Sequence, residues 1–262
     1  MLKILTVLKS SKGSRFHKKK CCDTALHSNH VLKIRDMFKR YLTLEHEFFC
    51  LTDILDINCN TIPLEHNWPG WFSKLELFKI KGPVLYVDLD TIILNNLDSY
   101  ILSLKDEQFC TLPLRWPNIR PCLDSRTPSN HKTNKVMSSI MYWSNDMSFL
   151  YEEFLKLPYW EHWSLDERDF RSDQEIINCL LTTRKHNCKW TMLPGFDSDI
   201  CSYNYLLQKQ ISNLKRASTE DGVDDKRKRI AISQLKNHMW KNKKIIYFHG
   251  DPKPWDQTVI PY

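Results

Sequence analysis

Apolar runs alternate with mixed apolar and polar segments along the chain, and this pattern predicts a sheet flanked by helices. Short apolar runs predict β-strands at residues 4–8, 48–51, 84–87, 136–143, 190–193 and 245–248. Apolar residues spaced three or four apart predict helices at residues 31–42, 71–79, 148–157 and 172–180. The order of strand, helix and strand at the start of the chain is typical of a βαβ unit and a parallel sheet. We therefore expect a single α/β domain over residues 1–262, with a less regular C-terminal part.

One strand and the helix before it are defined most clearly. The run Val84-Leu85-Tyr86-Val87 is apolar without a break. Such a run indicates a strand that is covered on both faces. The preceding helix would place Trp71, Leu75 and Phe78 on one face, with Lys74 at the edge of that face.

Composition excludes several classes of protein. The chain has 262 residues, a net charge of +7 and 42% hydrophobic residues, values that indicate a globular protein rather than a disordered chain. Its six glycines are at least twelve residues apart, which excludes a G-x-G-x-x-G dinucleotide fingerprint and a glycine-rich phosphate loop. The hydrolase motifs G-x-S-x-G and H-E-x-x-H are absent as well.

Hydropathy and cysteine usage set expectations for the compartment. No stretch approaches the ~20 apolar residues of a membrane span, and residues 4–8 are too short for a signal-peptide core. The nine cysteines are an odd number without a C-x-x-C pair, which favours reduced thiols. We therefore expect a cytoplasmic protein, with peripheral contact at the inner face of a membrane as a further option.

Three residues of metal-binding type follow two of the predicted strands. Asp88 and Asp90 come directly after residues 84–87, and His249 follows residues 245–248. Ligands of open α/β sheets bind beyond the carboxyl ends of strands, so the two strand ends are expected to meet in one crevice. Two carboxylates and an imidazole suit Mn²⁺ or Mg²⁺. The alternative is a pair of solvated loop acids, which is disfavoured because charges placed directly after a buried strand need a cationic partner.

A lysine on a stiffened backbone follows the histidine. Lys253 lies between Pro252 and Pro254, and these prolines restrict where its ammonium group can reach. A cation placed in advance beside a metal ligand is what an anionic leaving group requires. The alternative is a proline-rich surface turn that carries an ordinary lysine.

Several segments together resemble a known enzyme family. They are W-F-S-K-L-E-L-F at residues 71–78, V-L-Y-V-D-L-D-T at residues 84–91, the pair Asp173-Gln174, and H-G-D-P-K-P-W at residues 249–255. This ordered set resembles the GT-A-fold nucleotide-sugar glycosyltransferases, in particular the family 8-like enzymes related to glycogenin and to the lipopolysaccharide galactosyltransferases. The resemblance implies a GT-A-like, Rossmann-type mixed sheet flanked by helices. It also implies sugar transfer from a nucleotide-diphospho-sugar, with a UDP-sugar and retention of the anomeric configuration expected.

The resemblance implies roles for residues at the leaving-group end of the donor. Asp88, Asp90 and His249 would hold a divalent cation, Mn²⁺ or Mg²⁺, and Asp88 would also meet the ribose. Gly250 and Lys253 would bind the donor, with the Lys253 ammonium group on the diphosphate. The cation and the lysine would together stabilise the negative charge of the departing diphosphate.

The same resemblance implies roles at the sugar and at the nucleobase. Asp173 would hold hydroxyl groups of the donor sugar and Gln174 would lie near the anomeric carbon, so we expect these two residues to be catalytic. Lys74 and Ser139 would contact the donor. The nucleobase pocket would be lined by the end of the first strand, including Thr6 and Leu8.

The implied partners are the nucleotide-sugar donor and an acceptor, which would be a glycan, a lipid-linked sugar or a protein. No nucleic-acid partner is expected. Basic runs occur at residues 18–20, 226–229 and 243–244. These runs are typical of solvated faces, and they would also suit contact with an anionic membrane surface that carries the acceptor.

Two other functions are open at this point. Residues 88–91, D-L-D-T, also match the first motif of haloacid-dehalogenase-type phosphatases, in which the first Asp is a nucleophile and the second a general acid–base. That motif normally follows the first strand, whereas here 87 residues precede it. The basic runs alone would suit a non-enzymatic module that binds nucleic acid or another anionic surface.

Overall fold

The computed structural model describes residues 1–10, 27–68, 70–113, 136–157, 173–182, 188–196, 198–206, 242–248 and 253–256, together with the single positions 226, 230 and 233. The strands are β1 (Leu2–Leu8), β2 (His46–Thr52), β3 (Asn60–Pro63), β4 (Val84–Val87), β5 (Thr91–Ile93), β6 (Phe109–Pro113), β7 (Val136–Trp143), β8 (Trp190–Met192), β9 (Ile200–Ser202) and β10 (Ile245–Tyr247). The α-helices are α1 (Ser28–Tyr41), α2 (Asp98–Ser103), α3 (Ser148–Leu155) and α4 (Asp173–Thr182). Two 3₁₀ helices cover Gly70–Lys79 and Pro254–Asp256.

A seven-stranded mixed sheet organises the described part of the chain. Its strand order is β3-β2-β1-β4-β7-β6-β8, so that β4 is the central strand. The strands β3, β2, β1 and β4 run parallel to one another. Strand β7 is antiparallel to both β4 and β6, and β8 is parallel to β6. A mixed sheet with flanking helices confirms the predicted α/β class.

Strand β4 is buried on both faces, as its unbroken apolar sequence predicts. Leu85 and Val87 belong to the hydrophobic core on one face of the sheet, where α1 packs. Val84 and Tyr86 belong to the core on the other face, which the longer 3₁₀ helix, α3 and α4 cover. Successive side chains of a strand point to opposite faces, so four consecutive apolar residues supply both cores.

The helix that precedes β4 differs from the prediction. An α-helix was expected to align Trp71, Leu75 and Phe78, but the segment is a 3₁₀ helix and that alignment is wrong. A 3₁₀ helix has three residues per turn, so Phe72, Leu75 and Phe78 share one face. All three are fully buried. The same repeat stacks Lys74 directly above Trp71.

A second sheet of three short strands adjoins the first. Its order is β5-β10-β9, with β10 antiparallel to β5 and parallel to β9. The sequence pattern predicted β10 but neither β5 nor β9, because three residues are too few to show a period. Strand β5 begins one residue after Asp90, so Asp88, Leu89 and Asp90 carry the chain from the large sheet into the small one.

The expected meeting of two strand ends occurs, although by a different route. The prediction assumed that the two strands belong to one sheet, but β4 lies in the large sheet and β10 in the small one. Instead, the antiparallel pairing of β10 with β5 brings the end of β10 back to the acids that follow β4. The backbone N–H of Phe248 donates a hydrogen bond to the backbone carbonyl of Asp90 at 3.0 Å.

Some predicted features lie outside the described residues or stay predictions. Ser172, the first residue of the helix predicted at residues 172–180, and the basic run at residues 18–20 lie outside the described ranges. No helix in the described part of the chain is long and apolar enough to cross a membrane. That residues 1–262 form a single domain stays a prediction.

Candidate active site

The candidate site lies at the carboxyl end of β4, where polar side chains from four separate segments meet. Asp88 and Asp90 come from the link between the two sheets. Lys74 reaches them from the longer 3₁₀ helix, Asp173 is the first residue of α4, and Lys253 precedes the last 3₁₀ helix. Ligands of open α/β sheets bind at this kind of edge.

Asp88 is held through one of its two carboxylate oxygens. The hydroxyl of Tyr86 donates to Oδ1 at 2.5 Å, and the Lys74 ammonium group lies 2.8 Å from the same oxygen. The Asp88 backbone N–H donates to the carbonyl of Ser139 at 2.9 Å. Within the described ranges, no residue donates a hydrogen bond to Oδ2 of Asp88. That oxygen therefore stays available for a ligand.

Asp90 is also paired through one oxygen. The Lys253 ammonium group lies 2.6 Å from Oδ2, while Oδ1 is buried without a hydrogen-bond partner among the described residues. Burial and the negative charge of Asp88 raise the pKa of Asp90 to about 6, although Lys253 acts in the opposite direction. A buried carboxylate oxygen without a partner is costly, so this position favours a bound cation.

Lys74 links Asp88 to Asp173. Its ammonium group lies 3.2 Å from Oδ2 of Asp173, and the hydroxyl of Ser138 donates to that same oxygen at 2.5 Å. Burial opposes the charge of Lys74, but Asp173 and Asp88 outweigh it and raise the pKa of Lys74. The lysine is therefore a fixed cation between two acids.

The acids at this edge fit the divalent cation that the resemblance implies. Each of Asp88 and Asp90 has one oxygen paired with a lysine and one without a hydrogen bond from a described residue. Carboxylate oxygens are the ligands that Mg²⁺ and Mn²⁺ prefer. Within the described part of the chain there is no group of three or more His, Cys, Asp or Glu that could hold a metal. His249 and Gly250, the predicted third ligand and its neighbour, lie outside the described residues.

The structure brings Asp88, Asp90, Lys74, Asp173 and Lys253 together, as the sequence predicts. The backbone carbonyl of Ser139 accepts a hydrogen bond from the backbone N–H of Asp88. Gln174 is half-buried in the first turn of α4. The predicted pocket residues Thr6 and Leu8 are both fully buried. The side chain of Leu8 packs in the hydrophobic core, so it contributes to packing rather than to an open pocket.

A separate polar cluster lies beyond the carboxyl ends of β1 and β2. Asp53 accepts hydrogen bonds from the Lys9 ammonium group at 2.6 Å, from the Ser10 hydroxyl at 2.6 Å and from the Ser10 backbone N–H at 2.7 Å. The Lys9 ammonium group also donates to Asn67 at 3.0 Å. Sequence reasoning missed Asp53, because a single acid after a strand carries no distinctive signal.

Tyr86 and Ser138 were missed as well. Both lie in strands and read as ordinary packing residues. Tyr86 precedes Asp88 by two positions, and the alternation of a strand could have placed both on the same side. No comparable signal marks Ser138.

Comparison with solved structures identifies the fold. The galactosyltransferase LgtC, in a structure with donor and acceptor sugar analogues, matches with a TM-score of 0.50 and 12% identity over 98% of this chain and 90% of its own. The glycosyltransferase GlyE of Streptococcus pneumoniae TIGR4 matches with a TM-score of 0.53 and 11% identity, over 98% of this chain and 57% of its own. The bifunctional glycosyltransferase WbbM matches with a TM-score of 0.52 and 10% identity, over 97% of this chain and 46% of its own.

These neighbours are GT-A glycosyltransferases, and the chain has the GT-A fold. No protein-family model matches the sequence, and no curated protein matches it. The likeness therefore establishes the architecture, while the activity has to be argued from the side chains at the end of β4.

Proposed function

We propose that this protein is a metal-dependent glycosyltransferase that moves a sugar from a nucleotide-diphospho-sugar, with a UDP-sugar expected, to an acceptor. The observation that carries the proposal is the pair Asp88 and Asp90 at the end of the central strand, each with one oxygen held by a lysine. The other oxygen of each acid would bind Mn²⁺ or Mg²⁺, with His249 as a third ligand.

The side chains at this edge suit the charges that develop in sugar transfer. A bound divalent cation would supply positive charge to the departing diphosphate. Lys253 pairs with Asp90, so its ammonium group already lies beside the acids where the diphosphate would bind. Such help is effective because the charged group is already in place and little reorganisation is needed.

Asp173 would accept hydrogen bonds from hydroxyl groups of the donor sugar. Its Oδ2 is shared by Lys74 and Ser138, so the carboxylate has a fixed orientation. Gln174, the next residue of α4, would lie beside the anomeric carbon. Retention of configuration and membership of family 8 are part of the proposal and follow from the sequence resemblance alone.

The acceptor would be a glycan, a lipid-linked sugar or a protein, reached from the cytoplasm or at the inner face of a membrane. Two lysines of the basic runs are engaged within the fold. Lys243 donates to the carbonyl of Ser198 at 2.8 Å, and Lys244 donates to the hydroxyl of Ser99 at 2.9 Å. These two contacts do not favour the nucleic-acid module.

The phosphatase alternative is less well supported than sugar transfer. Its motif normally follows the first strand of the fold, but Asp88 follows β4, at the centre of a GT-A sheet. A phosphomonoesterase assay on the purified protein tests it directly.

A thermal-shift screen of nucleotide-sugars with and without Mn²⁺ tests the proposal. A donor at one hundred times its Kd adds about 2.7 kcal/mol to the free energy of unfolding. For a chain of this size, that corresponds to a rise in Tm of roughly 5–10 °C. The rise should require Mn²⁺ or Mg²⁺ and should select one donor or a small group of donors.

Asp90→Asn provides the matched test of the cation site, because it removes a charge with almost no change of volume. This variant should lose turnover and the Mn²⁺-dependent rise in Tm. The control Asp146→Asn changes a surface acid that pairs with Lys81 and should behave as the unsubstituted protein does. Full turnover in Asp90→Asn would refute the cation assignment.

A further inference from the structure

We infer that Tyr86 is a positioning residue that sets which oxygen of Asp88 faces the bound cation. The inference rests on the proposed function, because it concerns the same cation site. Tyr86 lies in β4, two residues before Asp88, and would act through that carboxylate rather than on the donor or the cation.

Two donors meet at a single oxygen of Asp88. The Tyr86 hydroxyl donates to Oδ1 at 2.5 Å and the Lys74 ammonium group donates to it at 2.8 Å. With Oδ1 occupied twice, Oδ2 is the oxygen of Asp88 that remains for the cation. The cation would therefore meet an oxygen whose direction is fixed before binding.

The hydroxyl of Tyr86 has little freedom to move. The residue is 1% exposed, and its ring packs in the core that the 3₁₀ helix and α4 cover. In the sheet, Tyr86 pairs with Leu5 of β1 on one side and with Met141 of β7 on the other.

Lys74 alone would hold Asp88 less firmly. Its ammonium group is shared with Asp173 at 3.2 Å, and a lysine is a point charge that imposes little direction. The phenol adds a directional bond within the strand. Its removal should let the carboxylate rotate, and the loss of such a supporting hydrogen bond typically lowers metal affinity by about 10–100-fold.

The test compares Tyr86→Phe with Tyr142→Phe. Both substitutions remove one phenol oxygen from neighbouring strands of the same sheet. Tyr142 pairs with Leu85, and its ring lies in the core on the opposite face. Affinity for Mn²⁺ is measured from the electron paramagnetic resonance signal of the free ion, without donor or acceptor, so no turnover is involved.

We expect Tyr86→Phe to bind Mn²⁺ about 10-fold more weakly, and Tyr142→Phe to bind it as the unsubstituted protein does. Equal affinity in all three proteins would overturn the inference while leaving the proposed function intact. An unsubstituted protein that binds no Mn²⁺ would overturn both.

A measurement on the unsubstituted protein covers the case in which Tyr86→Phe does not fold. The hydroxyl proton of a buried, hydrogen-bonded tyrosine exchanges slowly and gives its own magnetic resonance signal. Mg²⁺, which is diamagnetic, should shift this signal at the concentration at which it binds. A signal that stays unchanged while Mg²⁺ binds would overturn the inference.

Discussion

Removing the charge of Lys74 tests how much its ion pairs with two acids of the site stabilise the folded protein. Lys74 lies between Asp88 and Asp173, and the side chains of the three residues are only 13%, 20% and 7% exposed. Lys74→Met keeps most of the volume and removes the charge. It would leave the buried Asp173 and the half-buried Asp88 without their cation, and breaking a buried pair in this way typically costs about 3–5 kcal/mol. At about 2–4 °C per kcal/mol, Tm should fall by roughly 6–20 °C.

Lys81→Met is the matched control for this prediction. Lys81 and Asp146 are also 2.8 Å apart, but their side chains are 73% and 43% exposed. Water screens such a pair, so the substitution should change Tm little. The two lysines have an ion pair of the same length, but Lys74 is largely buried and also contacts a second acid.

The assay is thermal unfolding of Lys74→Met and Lys81→Met in the absence of metal, followed by circular dichroism at neutral pH. Equal Tm values for the two variants would refute the argument that burial makes the ion pairs of Lys74 stabilising.

Two further predictions concern Tyr100 and Asp90. The Tyr100 hydroxyl is buried without a hydrogen-bond partner among the described residues, so Tyr100→Phe should raise the free energy of unfolding by about 1 kcal/mol; a lower Tm would contradict this. The pKa of Asp90 is raised from 3.8 to about 6 by burial and by Asp88. A raised pKa in the folded state means that the metal-free protein loses stability as the pH rises from about 4 through 6. Asp90→Asn should not lose stability over this pH range. Parallel curves of Tm against pH for the two proteins, measured with a chelator present, would refute this prediction.

Five strands of the large sheet were predicted from their apolar runs, whereas β3 and β6 were not. The run from Val84 to Val87 has the same bounds in the sequence and in the structure, because both faces of β4 are covered. Strands β5 and β9 have three residues each and become strands only through pairing with β10. Such pairing depends on distant parts of the chain, and a local pattern does not record it.

The charged residues of the site were predictable, but their supporting contacts were not. Asp88 and Asp90 could be found because acids directly after a buried strand are unusual, and Asp173 was found from the sequence resemblance. Tyr86 reads as one more apolar residue of a strand, although its hydroxyl holds Asp88. Leu8 was expected in the nucleobase pocket because it lies at the end of the first strand, and its side chain packs in the core.

The passage of the chain from the large sheet into the small one has a consequence for long-range effects. Asp88 follows the large sheet, while Asp90 is hydrogen-bonded to Phe248 at the end of the small sheet. A slight rotation between the sheets would change the separation of the two acids before it altered either sheet internally. Substitutions at Met37, which accepts a hydrogen bond from the backbone of Ile93 in β5, should therefore act at a distance on cation binding. The separation of Asp88 and Asp90 therefore depends on the relative orientation of the two sheets.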